Sequence, residues 1–402
     1  MKWDPVFKTV DPPKIVYREA NFTEEQKQAL AGYRDIKTYH PGFENLPMAP
    51  KSQEIWLDHA WRWAGQTTPV QKGACKVVLV DASGILKNAD AFCKITHVLD
   101  PIRAIKGKYS DQPGGSPENQ KAWKTREAKY KDPMNQAYVE ALTYFCCSRL
   151  REKDLSPHFP HFYGSFCAIA DTYKFNITDD FDHYRNMKWF WEGYDKKIFV
   201  LTFENAEHET ESERAEWTRR PSFLEDDHSD LSSESESSRS GDESVHTDVK
   251  SRGGASMHSA DDLSFHTGSD SDQTGSEFDL PEPSFFMEVS NFPVMLMYLE
   301  KSDGVMDDLL SNHDVCNPGS PEWEAMWAAW LFQIIAALCA AQHTLSLTHN
   351  DLHSNNIVYS ETDEEFLYYQ KRDGTTWKVP TYGKVFRIID FGRAVFLSLI
   401  HI

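Results

Sequence analysis

His349-Asn350-Asp351-Leu352-His353-Ser354-Asn355-Asn356 and, further on, Ile388-Ile389-Asp390-Phe391-Gly392 are the stretches that decide how this chain reads. They supply two carboxylates, Asp351 and Asp390, 39 residues apart, and a carboxamide, Asn356, five residues after Asp351. A positioned carboxylate can take a proton from a hydroxyl. A second carboxylate and a carboxamide offer the oxygen ligands that a hard divalent cation accepts. Asp390 follows an apolar run, Val385 to Ile389, that reads as a strand. The first motif follows the clearest helix in the chain, opened by Ser320-Pro321-Glu322. There Trp327, Trp330, Leu331, Ile334, Ile335 and Leu338 recur at the spacing of a core stripe.

The rest of the chain is mixed in pattern. Residues 1–50 read as an N-terminal extension in which Thr23-Glu24-Glu25-Gln26 is a capping box and Gly32 ends a short helix. Lys76–Val80 reads as a strand, Asp81-Ala82-Ser83-Gly84 as a turn, and Ala91–Ile95 as a second strand. Asp132-Pro133 is expected to open a helix through Ala137, Leu142, Phe145 and Leu150. His158–Phe166 and Lys197–Leu201 return to extended structure. Residues 205–282 lose all period; Ser, Asp, Glu and Gly dominate, and such a segment cannot bury enough apolar surface to offset its ordering entropy. Strand-like Pro293–Leu299 resumes beyond it, so the segment is expected to be a disordered insert. Glu361–Tyr382 reads as a hairpin around Asp373-Gly374.

The 402 residues carry a formal charge of −20. Of this, 21 acidic against 6 basic residues in 205–282 contribute about −15, leaving about −5 for the remainder. That balance argues against a nucleic-acid surface, because phosphate backbones select basic faces. The seven cysteines lack zinc or redox spacing and read as reduced intracellular thiols. Met1-Lys2-Trp3-Asp4-Pro5 has no apolar leader. The longest apolar run, Met326–Ala341, is shorter than a membrane span and is interrupted by Gln333. No membrane partner is expected, and the compartment is expected to be cytoplasm or nucleus; the oligomeric state is not legible.

Together the two motifs resemble the catalytic loop and the metal-binding D-F-G of the protein-kinase superfamily, over roughly 75–396 with the insert removed. Asn-Asp-Leu-His and the long inserts are similar to divergent kinase-like proteins of large DNA viruses and protists. The resemblance implies an α+β, two-lobed protein kinase-like fold. Its small lobe would be β-rich with one helix and occupy 51–299, insert included; 300–396 would be part of a helical, incomplete large lobe. It implies ATP and Mg2+ as cofactors and a protein substrate phosphorylated on serine or threonine. Asp351 would accept the substrate proton, Asn356 and Asp390 would hold magnesium, and His349 would support the loop. His353 stands where serine/threonine kinases carry lysine and would contact the γ-phosphate. Asn350 replaces the arginine that pairs with a phosphorylated activation loop.

The same resemblance makes Lys94, in Ala91-Phe92-Cys93-Lys94, the candidate for the α- and β-phosphates, with Lys76 and Lys87 as rivals. Glu140 would be its ionic partner, which requires Asp111–Lys131 to be an insertion. Gly73, in Gln71–Val77, would belong to a phosphate loop that keeps only one of its glycines. Met297 and Leu299 would lie in an adenine-binding hinge, Met297–Glu300. His158 and His161 read as packing residues at a strand entry. Two other readings stay open: a pseudokinase scaffold using the acidic insert, and a small-molecule kinase of choline or aminoglycoside type, against which Gly392 speaks. Arg219-Arg220-Pro221-Ser222 and Ser232–Ser240 fit sites for other kinases. Residues 397–402 read as a translated sequencing-library adapter, CTG TCT CTT ATA CAC ATC, so the chain is expected to be the front part of a kinase and inactive alone.

Overall fold

The computed structural model describes residues 15–17, 22–45, 55–57, 59–205, 210–226, 283–312, 315, 321–370 and 374–396. Helices and antiparallel strands are mixed along it. Its largest element is a seven-stranded antiparallel sheet. From one edge the order is Tyr33–Lys37, Phe162–Asn176, Ser284–Glu300, Leu86–His97, Ala74–Val80 and Arg62–Gln66, with Phe199–Glu204 also paired to Ser284–Glu300. The strand Ser284–Glu300 is central. Met295, Leu296, Met297 and Tyr298 are at most 1 % exposed, and the strand is paired along both sides. Such a strand reads as an unbroken apolar run rather than an alternating one.

Against the sheet packs the helix Gln136–Glu152, with one apolar face on Met295, Met297 and Leu299 and another toward the second half of the chain. It starts at Gln136, later than the expected opening at Asp132-Pro133. Asp132 is already the end of the preceding helix, Pro117–Lys131, and its carboxylate accepts from Met134 N–H. Asn135 is the cap: its Oδ1 accepts from Ala137 N–H while its Nδ2 donates to Val98 and Lys129 carbonyls. No residue of Pro117–Lys131 is fully buried, and Tyr130 near its end packs half-buried against the core.

Two expected boundaries move. The predicted N-terminal extension is built into the fold over 22–45. Tyr33–Lys37 is the sheet's edge strand, Leu30 and Phe43 are buried, and His40 stacks between Phe43 (4.2 Å) and Tyr138 (5.0 Å) of the Gln136–Glu152 helix. Those apolar side chains, worth about 1.5–3 kcal/mol each on burial, override the proline-rich flanks. Residues 210–226, expected to belong to the disordered insert, are folded. Glu211–Trp217 is helical, Trp217 lies 5.0 Å from both Phe203 and Phe285, and Glu225 hydrogen-bonds with the backbones of Asn186 and Lys188. The disorder expected for 206–209 and 227–282, the Ser232–Ser240 motif and the adapter reading of 397–402 lie outside the described residues.

The second half is organised by the helix Pro321–Leu345. By length and composition it is long and apolar enough to cross a membrane. Here Trp327, Trp330, Ile334, Ala337 and Ala341 enter the core, while Leu331 and Ile335, expected in the same stripe, are 48 % and 56 % exposed. Gln333 is fully buried and satisfied: its Nε2 donates to the Lys384 carbonyl and its Oε1 accepts from Phe386 N–H. Trp330 Nε1 donates to the Thr381 carbonyl. The helix is thereby fastened to Lys384–Ile388, the strand that ends just before Asp390 and pairs with Ile357–Glu361. The predicted hairpin is present as Phe366–Gln370 paired with Thr376–Pro380.

Candidate active site

Lys94 is the meeting point of three elements. It sits on the strand Leu86–His97, 8 % exposed, with Nζ 2.7 Å from Oε1 of Glu140 and 3.1 Å from Oδ1 of Asp390. Glu140, on the Gln136–Glu152 helix, is fully buried. A buried charge is tolerable only when paired, and removing one partner of such a pair costs about 3–5 kcal/mol. The rivals are elsewhere: Lys76 pairs with Asp90 on the sheet surface, and Lys87 lies over the Trp61 ring.

Asp390 is held in the left-handed region, φ +61°. Its backbone N–H donates to the Tyr144 hydroxyl at 2.8 Å, and its Oδ1 accepts from Gly392 N–H. Phe391 is fully buried against Tyr144 (5.0 Å, edge-on), His349 and Phe159. Tyr144 lies four residues beyond Glu140, on the same helical face. That spacing was a usable signal for a residue that sequence reasoning passed over. Burial pushes its phenol well above the usual range, so the hydroxyl stays protonated.

The catalytic-loop candidate is braced from within. His349 Nε2 donates to the Ile389 carbonyl at 2.9 Å, and its Nδ1 accepts from Asp351 N–H. Burial is the main cause holding its imidazole below the ordinary value, which suits this neutral pairing. Asn356, 6 % exposed, places Nδ2 2.9 Å from both the Asp351 carbonyl and His353 Nε2. With both amide hydrogens so used, Oδ1 is the group it offers a cation. Ser354 Oγ donates to Asp307, tying the loop to the helix Met306–Ser311. His353 stays at the exposed rim against Asn356. The Asp351 carboxylate pairs with Arg393 at 3.0 Å, a partner the sequence reading missed although it directly follows the D-F-G triplet.

Two expected nucleotide contacts have protein neighbours of their own. Gly73 lies at the end of the hairpin between Arg62–Gln66 and Ala74–Val80, with φ +79°. A Cβ there would meet Phe92 Cε2 at 2.0 Å, and its carbonyl accepts from Cys93 N–H. Its side-chain position is filled by packing, which is what requires glycine. Met297 and Leu299 are interior to the central strand, opposite Lys94 and Phe92 on one side and Ser165 and Phe162 on the other. With neighbours on both sides, their backbone groups belong to the ladder and are not open to an adenine. The ladder ends at Glu300, and Lys301–Asp303 carry the chain to the second half, where Asp303 N–H donates to the Tyr359 carbonyl. Glu300 anchors that crossing. Burial opposes its charge, but Arg387 and Arg151 beside it hold its carboxyl below the usual range.

His158 is buried at 1 % exposed, and His161 is half-buried. His158 Nδ1 donates to the Phe386 carbonyl, Nε2 meets the Tyr369 hydroxyl at 2.8 Å, and burial lowers its pKa to about 4. Six cysteines among the described residues are free thiols. Among the described residues no group of three or more His, Cys, Asp or Glu is arranged to hold a metal ion by itself. Asp390 and Asn356 lie on adjoining segments, with Ile389 N–H donating to the Asn356 carbonyl at 3.0 Å, and both carry the oxygen ligands that Mg2+ accepts beside water and phosphate. Compared with models of known protein families and with curated proteins, the chain matches none.

Proposed function

We propose that this chain carries the nucleotide and catalytic centre of an ATP- and Mg2+-dependent phosphotransferase with a two-lobed kinase-like arrangement, acting on serine or threonine of a protein. The observation that carries the reading is Lys94 bridging Glu140 and Asp390, with Asp351 and Asn356 on a loop bonded to the same D-F-G strand through His349. Lysine, carboxylates and carboxamide of this kind serve phosphoryl transfer, where catalysis is mostly positioning and charge neutralisation. Lys94 would bind the α- and β-phosphates and Lys301–Asp303 would face the adenine. Asp390 and Asn356 would hold the magnesium ion, whose positive charge offsets charge on the phosphates. Asp351 would accept the proton of the acceptor hydroxyl. The free thiols fit a reducing compartment, cytoplasm or nucleus.

A pseudokinase reading is favoured by one observation: the Thr67–Gly73 hairpin carries a single glycine, and packing against Phe92 accounts for it. Thermal shift with ATP and MgCl2 separates the two. A kinase is stabilised by the pair, and the effect is lost in Asp390→Asn; no shift from ATP, with or without magnesium, removes the nucleotide site. Asp351→Asn should keep the shift and lose phosphotransfer to a generic substrate such as casein. Full transfer by that variant rules out the mechanism.

A further inference from the structure

Arg393 is held at both ends. Its guanidinium Nη1 lies 3.0 Å from Asp351 Oδ1, and its backbone carbonyl accepts from Asn350 Nδ2 at 3.1 Å. Asn350 takes the left-handed φ of +65°, which asparagine tolerates better than most residues. The next residues are fixed too. Ala394 N–H donates to the Phe391 carbonyl, and Thr348 and Leu347 pair antiparallel with Val395 and Phe396. The chain entering the catalytic loop and the chain leaving the D-F-G triplet thus form one clip, with Asp351 and Arg393 inside it. The loop's own hydrogen bonds use the Asp351 backbone only: its N–H goes to His349 and its carbonyl to Asn356. Among the described residues, the partner of its carboxylate is Arg393.

We propose that Arg393 is the positioning residue for Asp351, a role that rests on the phosphotransferase reading above. It fixes the carboxylate through Oδ1 and leaves Oδ2 for the acceptor hydroxyl. In the transfer that follows, the hydroxyl proton passes to Oδ2 and the acceptor oxygen bonds to the γ-phosphorus. The bond from γ-phosphorus to the β,γ-bridging oxygen breaks, and its electron pair leaves with ADP. The pair contributes little to stability, because both side chains are partly solvated, at 38 % and 25 % exposed. Its value is geometric, since a misplacement near 1 Å at a reacting group costs about 100-fold in rate. Asn350 acts on the same pair at one remove, by placing the Arg393 backbone.

The test compares wild type, Arg393→Gln, Arg393→Lys and Asp351→Asn of the full gene product, using radiolabelled ATP with casein and with myelin basic protein as probes. Arg393→Gln should lower kcat by about 10- to 100-fold with KM for ATP and the melting temperature unchanged. Arg393→Lys, which keeps a cation, should recover most of the rate. A kcat for Arg393→Gln equal to wild type overturns the proposal; so does a higher one, which makes the contact an inhibitory latch. A loss that tracks a lower melting temperature and is not rescued by lysine assigns the pair a structural role instead. If wild type and Asp351→Asn transfer label equally, the phosphotransferase reading falls and takes this role with it. If Asp351→Asn alone is inactive, only the role of Arg393 falls.

Discussion

Removing one oxygen, in Tyr144→Phe, tests how the Asp390 corner is held. The ring remains, and with it the 5.0 Å edge-on contact to Phe391 and the packing volume. What goes is the acceptor 2.8 Å from Asp390 N–H. Tyr144 is 1 % exposed, so no water readily takes its place. A buried donor left unpaired costs about 1–3 kcal/mol. It falls on a residue already at φ +61°, a conformation costing a non-glycine residue about 1–2 kcal/mol. The aspartate should therefore leave this corner, and each 1.4 kcal/mol moves that equilibrium about tenfold. Differential scanning fluorimetry should show a melting temperature lowered by about 1–2 °C for each kcal/mol lost. The additional shift from Mg-ATP should shrink as well, because Lys94 and Asp390 no longer share one place. A variant that melts with wild type and gains the same shift from Mg-ATP would refute the idea that this hydroxyl holds the corner.

Gly73→Ala should destabilise by about 2–5 kcal/mol, from the left-handed backbone and overpacking on Phe92. Phe92→Leu in the same chain should recover part of it, and a Gly73→Ala chain of unchanged melting temperature but weaker ATP binding would return the residue to phosphate contact. For pH, His158 is buried neutral with a folded pKa of about 4 against an ordinary 6.5. Between those values the unfolded chain binds the extra proton, so stability is intact above pH 6.5 and falls as pH drops toward 4. The slope is about 1.4 kcal/mol per pH unit from this residue. Urea unfolding of His158→Gln should show that much less slope over the same window, and equal slopes would remove the histidine from the account.

Asp351, Asn356 and Asp390 were legible because they recur at fixed offsets within short segments, and an adjacent helix and strand supplied context. Lys94 and Glu140 were candidates among several, since one strand lysine looks like another until depth is known. Met297 and Leu299 were misplaced because an apolar run carries no mark of where a strand stops pairing. The Phe92 ring against Gly73 was not legible, because a glycine needed for a phosphate and one needed for a phenyl ring look identical in sequence. The predicted Leu331 and Ile335 contacts failed for a related reason: periodicity gives a face but not its width, and two polar bonds from Gln333 turned the helix toward Phe386.

By itself the sequence determined the local chemistry: the oxygen groups of both motifs, the glutamine-bolted helix as a helix, and the hairpin. The Lys94–Glu140 pair was named by the family resemblance, while the meetings with Tyr144 and Arg393 were decided by tertiary structure. Lys94 reaches Glu140 across 46 residues, Asp390 lies 246 residues from the Tyr144 hydroxyl it donates to, and Arg393 comes back over 42 residues to Asp351. Such pairings depend on burial, which removes competing water, and on strand register, which brings distant residues together. Neither is written in the local spacing of residues.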